Sequence, residues 1–349
     1  MNKIFENSID FLLENACSSI RYLVLRDLLK TPTDAPAMLA LQEEILSQDN
    51  VRKILASQCD DGWFGYELHG NDGMDGLLGS LLNAGVEKEN SAVQKAIHAL
   101  VTPEIASQHK NWFHGGEALD AGRRGGNNAI IAQILSWVKY PEDYPVLAEQ
   151  ITLAFEHLSS VLCYHSVDDF SILGKNQRYY KPNAKFPGAN HISLLAATQS
   201  WRTEENLKTA KNAAKHGYEI MRNVNEYITF KKPAEYGGGF VGPFNYNWQA
   251  LAPITKEKLQ AIINDRYPFQ FAFWLGSVSG VPDFMLQSTG TYEVLLELLV
   301  NEKIEDLLPE KAFHAFRQVM GKEPSMRKKS AKKCDLTYAI LRACFDVMA

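Results

Sequence analysis

The side chains able to do chemistry fall into a few clusters. His165 followed by Asp168 and Asp169 sets an imidazole beside two carboxylates, a combination that tunes a proton donor or acceptor toward neutral pH. His191 stands inside an otherwise apolar stretch. There a core histidine with satisfied hydrogen bonds is the ordinary outcome, and a ring aimed into a central cavity is the sharper alternative. These four are the candidate catalytic residues. His69 and Asp75 flank the run Gly70-Asn71-Asp72-Gly73-Met74 just ahead of an apolar helical stretch; Asp72 reads as a helix N-cap, and His69 with Asp75 as candidate ligand contacts.

The densest polar cluster is His114, Glu117, Asp120, Arg123 and Arg124, followed by Asn127 and Asn128 at the next helix start. Two guanidinium groups ahead of a helix N-terminus suit an anionic group such as a diphosphate or carboxylate, and a solvated loop is the plain alternative. The pairs Gly115-Gly116 and Gly125-Gly126 follow no strand and do not make a phosphate-binding loop. Tyr180, Tyr236, Trp248 and Trp274 are further candidate ligand contacts, since aromatic walls suit carbocations or stacked sugars, although packing explains most such rings. Asp60 and Asp61 suit turn and cap duty better than catalysis. No CxxC, HExxH or EF-hand pattern occurs, so neither a metal site nor a cofactor is expected.

These residues hang on helices. Apolar positions at three- and four-residue spacing predict helices at 20–29, 38–46, 51–56, 72–84, 89–100, 127–138, 144–158 and 204–222, with one opening at Phe186-Pro187-Gly188 and running through His191 and Leu194. Further patterns cover 256–263, 269–278, 292–300, 311–320 and 336–347, while 159–187 and 230–250 read as irregular. Strand-like alternation is rare, so the chain is all-α. Gln58-Cys59-Asp60-Asp61-Gly62-Trp63-Phe64-Gly65 reads as a loop stapling one helix to the next, with Trp63 as the wedge.

A layout recurs at intervals of about 50 to 60 residues: an apolar helix, a short turn, then an amphipathic helix with early acidic residues. It appears at Leu77–Leu82 into Gly85-Val86-Glu87, at Ile130–Leu135 into Val138-Lys139-Tyr140-Pro141-Glu142, and at Leu194–Thr198 into Trp201-Arg202-Thr203-Glu204. The apolar helices should face inward and the amphipathic ones shield them. Stacked pairs form either a closed α/α toroid with a central cavity or an open superhelix. Long loops at 58–75, 109–128, 163–188 and 234–250 suit a cavity mouth, which favours the toroid, as one domain over 1–349.

Composition bounds the partners. Of the 349 residues 46% are hydrophobic, enough for a large core, and the net charge of −5 speaks against general nucleic-acid binding. The basic run Arg327-Lys328-Lys329-Ser330-Ala331-Lys332-Lys333 reads as a solvated loop. No apolar run of about 18 residues predicts a membrane span, and the N-terminus does not read as a signal peptide. Five scattered cysteines suit a reducing, cytoplasmic setting.

Several stretches resemble the α/α-toroid superfamily of terpenoid cyclases and protein prenyltransferases, above all its bacterial prenyltransferase-like and squalene-cyclase-like members. They are the helix Ser19-Ile20-Arg21-Tyr22-Leu23-Val24-Leu25-Arg26-Asp27-Leu28-Leu29, the staple from Gln58 to Gly65, Lys185-Phe186-Pro187, and Leu336-Thr337-Tyr338-Ala339-Ile340-Leu341-Arg342. In order, they span nearly the whole chain. The resemblance implies a central pocket for an apolar or isoprenoid-type small molecule. The alternatives are a carbohydrate-active toroid and a non-catalytic helical-repeat scaffold. The superfamily's chemistry does not transfer by motif. Its Asp-x-Asp-Asp acid is matched only by Ser166-Val167-Asp168-Asp169, and its zinc-binding Asp-x-Cys only by Asp265-Arg266-Tyr267, with Tyr in place of the thiolate.

Overall fold

In the computed structural model, residues 3–110, 116–175, 178–181, 184–221, 224, 228–229, 256–266, 268–279, 291–300, 303–325 and 329–345 are described. The all-α expectation holds: among these residues the only strands are three short ones. The first five helices are α1 (Lys3–Asn15), α2 (Ser18–Leu23), α3 (Pro36–Ser47), α4 (Asp49–Ala56) and α5 (Met74–Ala84). Then come α6 (Ser91–Val101), α7 (Pro103–Lys110), α8 (Gly116–Ala121), α9 (Asn127–Trp137), α10 (Pro145–Ser160) and α11 (Val167–Phe170). The remainder are α12 (Ala189–Ala197), α13 (Glu204–Met221), α14 (Lys256–Ile263), α15 (Gln270–Ser279), α16 (Thr291–Val300), α17 (Glu310–Met320) and α18 (Ala331–Phe345).

Local chemistry sets several of these boundaries. Pro36 and Pro145 open α3 and α10 at the position where a missing N–H costs nothing. The Asn90 side chain caps α6 by accepting from the Ala92 N–H. The staple forms as expected and reaches further than one turn. Gln58 Nε2 donates to the Gly62 carbonyl (2.9 Å) and across to the Ala92 carbonyl (2.7 Å), while Asp61 Oδ1 accepts from the Trp63 N–H at 2.9 Å. Trp63 and Phe64 are fully buried beneath it.

Three stretches depart from the sequence reading, the first being the loop expected at 109–128, within which α8 forms. The helix expected over 20–29 turns into a π-helical segment at Val24–Leu28, closed by the Leu29 N–H on the Val24 carbonyl at 3.1 Å. Arg26 there engages its neighbour Asp27 through two contacts of 2.8 and 3.2 Å and reaches Glu87 at 3.3 Å. Side chains one residue apart do not face each other on a regular α-helix, and the altered turn coincides with this pairing. The stretch 159–187, expected to be irregular, holds α11, β1 (Ser171–Leu173) and β2 (Arg178–Tyr180); β2 lies between antiparallel β1 and parallel β3 (Ile228–Thr229).

The hairpin layout is visible in the packing. In α9 the residues Asn127, Ala129 to Ala132 and Ile134 to Ser136 are all buried, whereas α10 buries one face only. Helix α9 packs on α5, α10 and α12, and α10 packs on α12 and α13. At the far end of the chain α18 packs on α16 and α15, and α1 packs on both α18 and α16. The first and last described helices therefore meet. The segment between α17 and α18 ties the junction: Glu323 Oε1 accepts from the Cys17 N–H at the start of α2 (2.8 Å). Lys322 Nζ donates to the Asn83 carbonyl of α5 (2.9 Å), and Asp335 Oδ1 accepts from the N–H groups of Lys322 (2.7 Å) and Glu323 (2.9 Å).

Candidate functional site

The residues ahead of the apolar helices α5, α9 and α12 carry most of the candidates. The starts of α9 and α12 are finished by side chains of the protein itself, whereas α5 has Gly73 at its N-cap, with no side-chain cap, in place of the expected Asp72. At α5, Asp75 reaches back to accept from the Gly70 N–H (3.0 Å) and holds His69 Nδ1 at 2.5 Å. The hydrogen bond to Asp75 raises the His69 pKa above its ordinary value against the opposing effect of burial. His69 keeps 36% of its side chain exposed, so the ring sits at the solvent boundary. Beside it, His109 stacks on Trp63 with centroids 4.2 Å apart, while its Nε2 contacts Asp61 Oδ2 (3.1 Å) and its Nδ1 the Tyr66 carbonyl (3.2 Å). Segment 61–75 and the end of α7 are thereby joined.

At α9 the position expected to attract an anionic ligand is occupied by Asp120. Its carboxylate accepts from the N–H groups of Gly126 (3.0 Å) and Asn128 (3.2 Å), supplying the negative charge that the helix N-terminus favours. The two arginines are engaged as well. Arg123 pairs with Glu156 at 3.2 Å; Arg124 donates to the Lys181 carbonyl at 3.1 Å and lies over the Tyr180 ring at 5.9 Å. Tyr180 is buried under that guanidinium, and burial pushes its pKa well up. Asn127 is fully buried, and neither its Oδ1 nor its Nδ2 finds a partner among the described residues. Glu117 is exposed on α8.

At α12 the cap is a histidine. His191 Nδ1 accepts from the Gly188 N–H at 2.9 Å, which fixes the neutral ring as the Nε2–H tautomer. Its ring lies 4.8 Å from that of His157, and both are nearly inaccessible, at 4% and 3% exposure. His157 Nδ1 meets the Phe186 carbonyl at 3.2 Å. Burial lowers both pKa values, His191 to about 3 with a further push from His157. Gly125, at φ 74°, is what makes room: a Cβ there would stand 2.9 Å from His191 Nε2.

The trio His165, Asp168 and Asp169 makes a helix start. Asp169 Oδ2 accepts from the N–H groups of His165 (2.6 Å) and Ser166 (3.0 Å) in a capping box, and these bonds hold its carboxyl below the usual range. Asp168 pairs with the buried Arg178 at 2.6 Å. What His165 gives Asp169 is a backbone N–H, and a carboxyl with a lowered pKa is a poor proton donor. Trp274 is core, 2% exposed and 5.9 Å from Phe271. His114, Tyr236 and Trp248 lie outside the described residues, as does Tyr267 of the zinc comparison.

Sequence reasoning missed His109 and His157. His157 had a signal: it sits at helical spacing after Leu147, Ile151 and Ala154, on the apolar face of α10. His109 had none, because its partners Asp61 and Trp63 lie more than forty residues away. Among the described residues no three His, Cys, Asp or Glu side chains gather as metal ligands, and no helix is long and apolar enough to cross a membrane. A shallow open depression on α14, lined by Lys256, Glu257, Gln260, Ala261 and Asn264, contains none of the candidate groups. The sequence matches no protein-family model, and neither a curated protein nor a solved structure matches it.

Proposed function

We propose that the helical hairpins close into an α/α toroid of the terpenoid-cyclase and prenyltransferase kind, and that its loop end binds a small molecule of apolar or isoprenoid type. Support for closure comes from the packing of α1 on α16 and α18, since an open superhelix would hold the chain ends apart. The observation that carries the binding reading is the His69–Asp75 pair: a partly exposed imidazole, oriented by a carboxylate and biased toward its cation, at the start of an apolar helix. Such a group donates a charge-assisted hydrogen bond to a phosphate or carboxylate head while the rest of the ligand meets apolar surface. All five cysteines are free thiols, which fits the proposed cytoplasmic setting.

A non-catalytic scaffold is the second reading, favoured by Asp168 and Asp169, whose carboxylates serve an ion pair and a helix cap. Thermal shift tests both. Wild type and His69→Gln are compared with farnesyl and geranylgeranyl diphosphate, with and without Mg²⁺, and with acidic and neutral oligosaccharides. A ligand at a hundredfold excess over its Kd stabilises the folded state by about 2.7 kcal/mol. A rise with the diphosphates that shrinks in His69→Gln supports the pocket. A rise with sugars alone moves the assignment to a carbohydrate-active toroid, and a flat panel leaves the scaffold.

A further inference from the structure

The polar pair buried deepest at the loop end is not the one proposed to meet a ligand. His157 and His191 lie where three segments meet: 123–125 ahead of α9, 186–188 ahead of α12, and the C-terminal half of α10. His157 bridges two of these segments from the third, touching the Phe186 carbonyl and the backbone of Arg123. His191 completes the contact from α12, its Nδ1 on the Gly188 N–H and its Nε2 against Gly125. We propose that this pair is an acid-sensitive clasp, closed while His191 is neutral and opened by its protonation, which frees the segments preceding α9 and α12 from each other.

The argument rests on which atoms donate. The Gly188 N–H needs an acceptor, and His191 Nδ1 is one only while it is unprotonated. Adding a proton there sets a donor against a donor, removes the α12 cap, and leaves a cation in a site closed to water. His191 Nε2 already carries a hydrogen and has no hydrogen-bond partner among the described residues. The cationic ring would thus be satisfied at neither nitrogen, and only movement of the loop toward water relieves it. A charge on His157, 4.8 Å away, makes matters worse for its neighbour, because two cations in one dry site repel each other.

The surroundings offer a cation at His191 little compensation. Helix α9 contributes no ionisable side chain, and α12 contributes only His191. On α10, Glu156 is the one carboxylate acting on His157, and it is already shared by Arg123 and Lys185. Arg124, over Tyr180, opposes a proton on His157. Asp120 is bound to the N–H groups of Gly126 and Asn128, and His216, from α13 behind α10, is bound to the Tyr164 carbonyl. The clasp stands without the ligand reading.

Amide hydrogen exchange on the full chain, corrected for the intrinsic pH dependence of exchange, tests it at pH 7.5 and 5.0. In the wild type we expect protection of 186–192 and 123–130 to fall at least tenfold at the lower pH while α5 and α18 hold. In a His157→Gln/His191→Asn double variant, whose residue-191 amide keeps an acceptor for Gly188, the fall should disappear. An equal fall in the double variant, or none in the wild type, overturns the proposal. Histidine NMR on the wild type needs no variant to fold. Both rings should remain neutral through pH 6, with His191 as the Nε2–H tautomer, and titration of either at or above the ordinary histidine value overturns it equally.

Discussion

The protein treats its histidines His69, paired with Asp75, and His157 and His191, paired with each other, in opposite ways. His69, one-third exposed, is given a carboxylate and biased toward the cation; His157 and His191, almost wholly buried, are given each other and biased toward the neutral form. The residue type is the same, and burial decides its behaviour. At the boundary water shares the charge and a hydrogen-bonded Asp75 wins; inside, desolvation outweighs the carbonyl contacts of His157. The first is suited to meeting something from outside and the second to holding the protein's own segments together.

The largest break in this contrast should come from glycine. Gly125→Ala places a methyl 2.9 Å from His191 Nε2 at a backbone φ of 74°, so overpacking and strain add, and we expect a loss of about 2–4 kcal/mol. Gly70→Ala, beside the exposed pair, also has a positive φ (129°) but meets nothing within 4 Å, so strain alone remains, about 1–2 kcal/mol. Urea denaturation of both variants checks it. Equal losses would mean that the buried pair packs no more tightly than the exposed one.

Acid should separate the pairs next. The folded pKa values of His157 and His191 are lowered, that of His191 to about 3, so below the ordinary value near 6.5 the unfolded chain binds more protons. Stability from these rings is complete above that value and falls with pH, by up to about 1.4 kcal/mol per unit for each ring. The raised pKa of His69 works the other way: its contribution is complete below the unfolded value and is lost as pH rises through the folded one. Denaturation midpoints from pH 4.5 to 8.5 should lose acid sensitivity in the His157→Gln/His191→Asn variant and alkaline sensitivity in His69→Gln. A third, smaller effect follows at the exposed pair alone. Asp75→Asn removes the charge that raises the His69 pKa, so the NMR titration of that ring should move downward while those of His157 and His191 stay in place.

Much of this was legible in the sequence where the signal is local. The spacing of Ile130, Ile131, Ile134 and Leu135 announces a buried helix, and Gln58 to Gly65 announces a staple, because three- and four-residue contacts and turn chemistry are written in consecutive residues. His69 with Asp75 was within reach for the same reason, six residues apart across a turn. The partners of His157 and His109 were not, since Phe186 and Asp61 reach them only through the packing of separate hairpins. The partners of Arg123 and Arg124 were out of reach in a related way. The positive charge of the two arginines before a helix start invites an anion, and the sequence does not tell that Asp120, Glu156 and the Lys181 carbonyl take those roles.

The smallest expected effect concerns Asp168, the residue nearest to the cyclase acid pattern. It is 72% exposed and pairs with Arg178, which is only 10% exposed and also donates to Ser171 Oγ at 3.2 Å. A solvent-facing partner shares its charge with water, so the pair is worth about 0.2–1 kcal/mol and Asp168→Ala should cost no more than that. Arg178 differs. With its guanidinium inside, Arg178→Ala removes packing of its stem as well as its polar contacts, and should cost more than the loss of its partner. If Asp168→Ala instead left stability untouched but abolished a thermal shift by an isoprenoid diphosphate that survives in His69→Gln, the ligand would meet the α11 start, and the contrast between the two pairs would no longer locate the site.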